Sequence, residues 1–151
     1  MTIDAPVAPP PPPSGPRTFG FRLPAITHAI LLFWGVLKPP AVTIDDQQIR
    51  VRFGWFRSTV PLADIARFEL DGPYWWWRAL AVRHTAFKTD ISYCSDGRGA
   101  VRLYLKSQRR IHWAGHVDQV YLGVEDLEGL AEELRRRGIQ GEDTRKNQGH
   151  A

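Results

Sequence analysis

Cysteine is almost missing from this 151-residue chain: Cys94 is the one copy. No intrachain disulfide can therefore form, and the fold has to rest on a packed core. Cys94 follows Ile91 and Tyr93 in an apolar run, where a free thiol behaves as a small buried hydrophobe. Such cysteine usage fits a cytoplasmic setting. Long apolar runs are also lacking. The most apolar segment, Ala25 to Leu37, has thirteen residues before Lys38-Pro39-Pro40 stops it, and a membrane-spanning helix needs roughly twenty. The opening MTIDAPVAPPPPPSGPR has neither the basic nor the apolar region of a secretory signal. Lysine is scarce, with four against sixteen arginines. The net charge of +4 is small and the basic residues look spread along the chain. Nucleic acid, which selects a basic patch or stripe, is not an expected partner.

Catalytic and metal signatures are missing too. No G-x-S-x-G elbow surrounds a serine. Gly97-Arg98-Gly99 reads as a hairpin turn rather than a phosphate loop, since no helix follows it. His112 and His116 have the i, i+4 spacing of a helical metal pair, but Gly115 and strand-like surroundings argue against a helix. No third ligand lies near them in sequence. A non-enzymatic protein with no metal and no cofactor is the expectation.

Proline and apolar alternation are what the chain does have. Seven prolines fall in residues 1–16, five of them consecutive, which predicts a solvated, extended polyproline tail over 1–18. A single domain should fill 19–138, with its core in 40–138 and a disordered polar tail over 139–151. Within it, Ala25 to Leu37 reads as a buried strand or short helix, or alternatively as a membrane-dipping anchor whose Phe33 and Trp34 suit an interface.

From Val42 to Leu70 the pattern is that of an antiparallel meander. Val42 and Ile44 alternate, Asp45 to Gln48 is a polar turn, and Ile49, Val51 and Phe53 alternate again with Arg50 and Arg52 on the opposite face. Gly54 marks a bulge or hairpin loop. Thr59-Val60 resumes a strand that Pro61 ends, and Leu62 and Ile65 anchor a bend into a strand with Phe68 and Leu70. Further strands are predicted around Leu80 and Val82, Ile91 and Tyr93, Val101 to Leu105, and Val117 to Val124, with a basic loop at Lys106 to Arg110. The period then changes. Leu127, Leu130, Ala131 and Leu134 form one helical stripe in Glu125 to Arg137, with acids first, arginines last and Gly138 beyond.

Many strands followed by one helix is an α+β order, mostly β. The chain resembles the pleckstrin-homology-like (PH-like) superfold, and more narrowly the small bacterial PH-like proteins. The resemblance is carried by Val42-Thr43-Ile44-Asp45, Ile49 to Gly54, Val60-Pro61-Leu62-Ala63-Asp64-Ile65 and Val124 to Leu130. It implies a half-open barrel of two antiparallel sheets, about seven strands, capped by the C-terminal amphipathic helix. It also implies a binding module for a protein partner or an anionic surface. The alternatives are a small-molecule carrier or small enzyme with a pocket in the bent sheets, and a peripheral membrane protein attached through residues 25–37.

Two groups of candidate binding residues emerge. Phosphoinositide-binding members of that superfold share a lysine, a spacer, and then a basic residue, any residue and arginine; Lys38 with Arg50-Val51-Arg52 is similar to that pattern. Alternate arginines on one strand face can hold a phosphate bidentately, or can simply make up the solvated face of a strand in an arginine-rich chain. Trp75, Trp76 and Trp77 exceed what one strand face can bury, so at least one should be part of the core while the others, with Arg78, suit a partner or an anionic surface.

Overall fold

The computed structural model describes residues 15–72, 82–84, 90–93, 99–111 and 115–145, with the backbone alone at 82–84. Ten strands and two α-helices lie among them. Four strands form the first sheet: β1 (Arg17–Gly20), β2 (Ala41–Ile44), β3 (Gln48–Phe53) and β4 (Phe56–Pro61), side by side in chain order. The expected alternation is realised on β3, where Ile49, Val51 and Phe53 are buried and Arg50 points to solvent. The Asp45 carboxylate accepts from the amides of Gln47 and Gln48 at 2.8 and 2.9 Å, which folds the β2–β3 turn. Gly54-Trp55 is the two-residue turn of the β3–β4 hairpin.

Pro61 ends β4, a single 3-10 turn covers Leu62–Asp64, and β5 (Ile65–Asp71) starts in the other sheet. The predicted corner is there because proline cannot donate onward along the ladder. The second sheet also contains β6 (Val82–His84), β7 (Asp90–Tyr93), β8 (Ala100–Ile111), β9 (Gly115–Leu122) and β10 (Gly141–Asp143). Its order is β10-β5-β8-β9-β7-β6, with β7 parallel to β9 and β10 parallel to β5. The chain is thus α+β and mostly β, in two sheets that, among the described residues, do not close into a barrel.

Four expectations are corrected. Lys106 to Arg110 is no loop: β8 continues through it, bulged between Tyr104 and Arg109, and pairs Arg109 with Val117. Arg17 and Thr18, expected in the N-terminal tail, belong to β1, which pairs with β2. The polar C-terminal segment partly belongs to the fold, since Ile139 is buried and β10 is bonded to β5. The fourth concerns Ala25 to Leu37. It forms helix α1 (Ala25–Phe33), none of whose residues is buried. The interior is already filled by inward side chains of the two sheets, and α1 has no polar stripe that would orient it toward them.

Helix α2 (Leu127–Arg136) carries the predicted stripe: Leu127, Leu130, Ala131 and Leu134 are buried. The Asp126 carboxylate caps it by accepting from the Gly129 amide at 2.9 Å, and Arg135 and Arg136 occupy its last turn. Both helices end in the same way. Gly35 and Gly138 take positive φ, and the next amides, of Val36 and Ile139, donate back to the carbonyls of Leu31 and Leu134. This double closure satisfies carbonyls that the helix would leave open.

Between the sheets, Phe21, Phe53 and Tyr93 pack in mutual contact with centroids 5.1 to 6.5 Å apart. Ser58 of β4 and Tyr93 of β7 join hydroxyls in the same interior. Residues Gly20 to Arg22 run from the first sheet to the second. Phe21 bridges Val124, and the Glu125 amide donates to the Gly20 carbonyl at 2.9 Å.

Candidate functional site

The outward face of the first sheet gathers the cations. Thr43, Arg50 and Thr59 lie opposite one another across β2, β3 and β4, and Ala41, Arg52 and Arg57 form the next row. Arg50 and Arg52 are two apart on one strand and so share a face. With Lys38 these residues line an open depression of about 500 Å³. Lys38, Arg50 and Arg52 are therefore brought together as the sequence pattern suggested. Arg57 was missed. It becomes legible once Gly54-Trp55 is taken as a two-residue turn, since counting back from Phe53↔Phe56 sets Arg57 opposite Arg52.

The cluster is electrostatically undercompensated. Like charges directly opposite on neighbouring strands repel, yet Arg52 faces Arg57. Arg52 donates to the Pro39 carbonyl at 3.2 Å, and its Nε is buried without a hydrogen-bond partner. Arg50 reaches Asp45 at 3.4 Å. Among the described residues, no carboxylate forms an ion pair with Lys38, Arg52 or Arg57. Asp45 itself sits below the usual carboxylate range, first because the Gln47 and Gln48 amides bond its charged form, with Arg50 and Arg137 adding to the effect against a small burial penalty.

Sequence distribution sharpens this. Gly20 to Ile44 and Ile49 to Ala63 contain Arg22, Lys38, Arg50, Arg52 and Arg57 and no aspartate or glutamate. These two stretches hold more than the chain's whole net charge of +4. Residues 97–117 hold five further basic residues and likewise no acid, so the excess is shared between two regions of the chain.

The outer face of the second sheet behaves differently. Arg67 stacks 3.8 Å from the Tyr104 ring, and Arg102 lies between Tyr104 and Tyr121 at 4.7 and 5.0 Å. Glu69 accepts from Arg67 and from the Tyr104 hydroxyl, and Gln119 accepts from Arg102 at 2.6 Å. Burial alone would raise the Glu69 carboxyl, but its bonds to Arg67 and Tyr104 prevail and hold it low. Arg67, Glu69, Tyr104 and Arg102 are thus mutually paired on this face, although Oδ1 of Asp90 beside them is buried without a hydrogen-bond partner.

Helix α1 borders the basic depression. Lys38, which lines the depression, also lines a smaller apolar cleft of about 320 Å³ with Leu31, Leu32, Val36 and Leu37. Trp75, Trp76, Trp77, Arg78 and His112 lie outside the described residues. His116 lies on strand β9, not on a helix. No helix among the described residues is long and apolar enough to cross a membrane. Comparison of the chain with protein-family models, with curated proteins and with solved structures gave no match.

Proposed function

We propose that the chain is a non-enzymatic PH-like module that docks on an anionic, phosphate-bearing surface through the outer face of its first sheet. The corner at Pro61 to Ile65, the capping helix α2 and the Phe21–Val124 bridge support the half-open-barrel reading. One observation carries the function: Arg52 directly opposite Arg57, with Arg50 beside them and Lys38 on the rim of the same depression. Holding these cations together is unfavourable for the isolated sheet, and a bound anion turns the repulsion into bidentate attraction. The carrier or enzyme reading draws less support, because Phe21, Phe53 and Tyr93 fill the space between the sheets.

Vesicle sedimentation tests the proposal. Phosphatidylcholine vesicles containing phosphatidylserine should bind the protein at low salt and release it as salt rises. Pure phosphatidylcholine should bind it far less. Replacing Arg50, Arg52 and Arg57 together by glutamine should weaken binding by on the order of a hundredfold, at about 1 kcal/mol for each basic residue near the surface. Equal binding to both vesicle types, or none to either, would overturn it.

A further inference from the structure

We infer that α1 and the tip of the β3–β4 hairpin form a membrane-insertion face, seated at the headgroup–acyl boundary while the first-sheet cations engage the lipid phosphates. The inference rests on the docking proposed above and names the bilayer as the source of the anions. Phe33 is 88% exposed, Leu37 84% and Trp55 77%, and Ile26, Ile30, Leu32 and Trp34 are exposed beside them. Monomeric soluble proteins rarely expose apolar side chains of this size in one contiguous group. The group is contiguous: a Cβ at Gly54 would lie 3.7 Å from both Leu31 and Val36, so the hairpin tip sits against the last turn of α1.

Geometry and charge select the occupant. Nine helical residues are about 13 Å long at 1.5 Å each, less than half of a bilayer's hydrocarbon core, so α1 can lie in the interface but not span it. Trp34 and Trp55 are of a residue type that favours the headgroup level, and Phe33 suits the apolar face of an interfacial helix. A purely apolar protein groove would match the crown but leave its rim unmet. That rim is cationic, with Lys38 one residue after Leu37 and Arg57 two residues after Trp55, and the stretches that build it contain no acid. An anionic bilayer satisfies both parts, as apolar burial and electrostatic attraction act together for interfacial helices.

The test uses the full chain and vesicles of phosphatidylcholine and phosphatidylserine with brominated acyl chains, which quench tryptophan only at depth. Wild-type emission should be quenched and blue-shifted on binding. Trp34→Phe/Trp55→Phe, which keeps the apolar character, should bind comparably but lose most of that quenching. Phe33→Ser/Trp34→Ser/Trp55→Ser should weaken binding by at least about tenfold, since interfacial binding scales with buried apolar area. These side chains are exposed, so its thermal unfolding should match wild type. Binding without quenching overturns insertion and leaves the docking proposal standing. Quenching undiminished in Trp34→Phe/Trp55→Phe overturns insertion at this face. Concentration-dependent self-association without vesicles, abolished in the triple-serine variant, assigns the crown to a second copy and also overturns it. No binding at low salt overturns both proposals.

Discussion

The hydroxyls of Ser58 and Tyr93 meet inside the molecule, one from each sheet. Both residues are buried among apolar side chains. The largely hydrophobic space between the sheets thus has a directional contact fixing how the first sheet faces the second. Removing either hydroxyl deletes this buried bond from the interior. We predict that Ser58→Ala and Tyr93→Phe each lose about 1–2 kcal/mol. The double variant should lose clearly less than the sum, as urea unfolding across a double-mutant cycle will read.

Glu133 and Arg137 form a second internal tie, this one ionic. Glu133 is 1% exposed and Arg137 2%, and Arg17 of β1 donates to the same carboxylate at 2.7 Å. Glu133→Ala should destabilise by up to roughly 3–5 kcal/mol, because the buried Arg137 guanidinium then keeps, among the described residues, only the solvated Asp46 carboxylate, at 3.8 Å, as an ionic partner. Arg17→Ala should lose no more than about 1 kcal/mol, since Arg17 is largely solvated. Chemical denaturation at neutral pH separates the two.

The same carboxylate predicts an acid limb. Burial pushes Glu133 upward, but hydrogen bonds from Arg137 and Arg17 outweigh it and hold its folded value below the ordinary 4.5. The native state then binds fewer protons than the unfolded chain in that range. Its contribution is full above about pH 4.5 and disappears as pH falls through the lower folded value. Glu133→Gln should flatten the decline of stability below that pH, measured as unfolding midpoints on acid titration.

An alkaline counterpart comes from Tyr121, whose phenol is pushed up to about 12, mainly by burial. The folded state keeps this proton after the unfolded chain has lost it, so stability falls as pH rises from the ordinary 10.0 toward 12. Phenolate absorbance should show a late-titrating group that Tyr121→Phe removes.

Strand β10 lies on β5 with Gly141 directly over Phe68. A Cβ at Gly141 would fall 2.4 Å from the buried Phe68 ring. Gly141→Ala should therefore lift β10 from its edge. Hydrogen exchange should accelerate at the Phe68 and Thr144 amides, which donate to Gln140 and Leu70. Unchanged protection at both would refute the strain.

What was legible in the sequence was local. The stripe of α2, the alternation on β3, the turn at Gly54 and the corner after Pro61 each follow from residues within one turn or two strands of each other. The exposure of α1 was not legible, because an all-apolar run reads the same whether it is covered or not. The placing of β8 between β5 and β9 depends on pairings across dozens of residues. Strand β10 is short and polar and is held by backbone bonds, with Ile139 its one apolar anchor. At the candidate site, Lys38, Arg50 and Arg52 could be read from spacing, whereas Trp55 joins them only through the contact of its hairpin with α1.

The seam at Gly20 to Arg22 has a consequence for how the molecule is made. The hairpins of β2, β3 and β4 join near neighbours and can form while the chain is still emerging from the ribosome. Strand β1 can pair with β2 then, but the seam that follows it and the ion pair of Arg17 stay open, because their partners are Val124, Glu125 and, 116 residues downstream of Arg17, Glu133. Closing such distant contacts is slow. For much of synthesis the first sheet has to wait half-dressed, its apolar inner face and the α1 crown both open. Exposed apolar surface in this interval is what makes a nascent chain prone to aggregate.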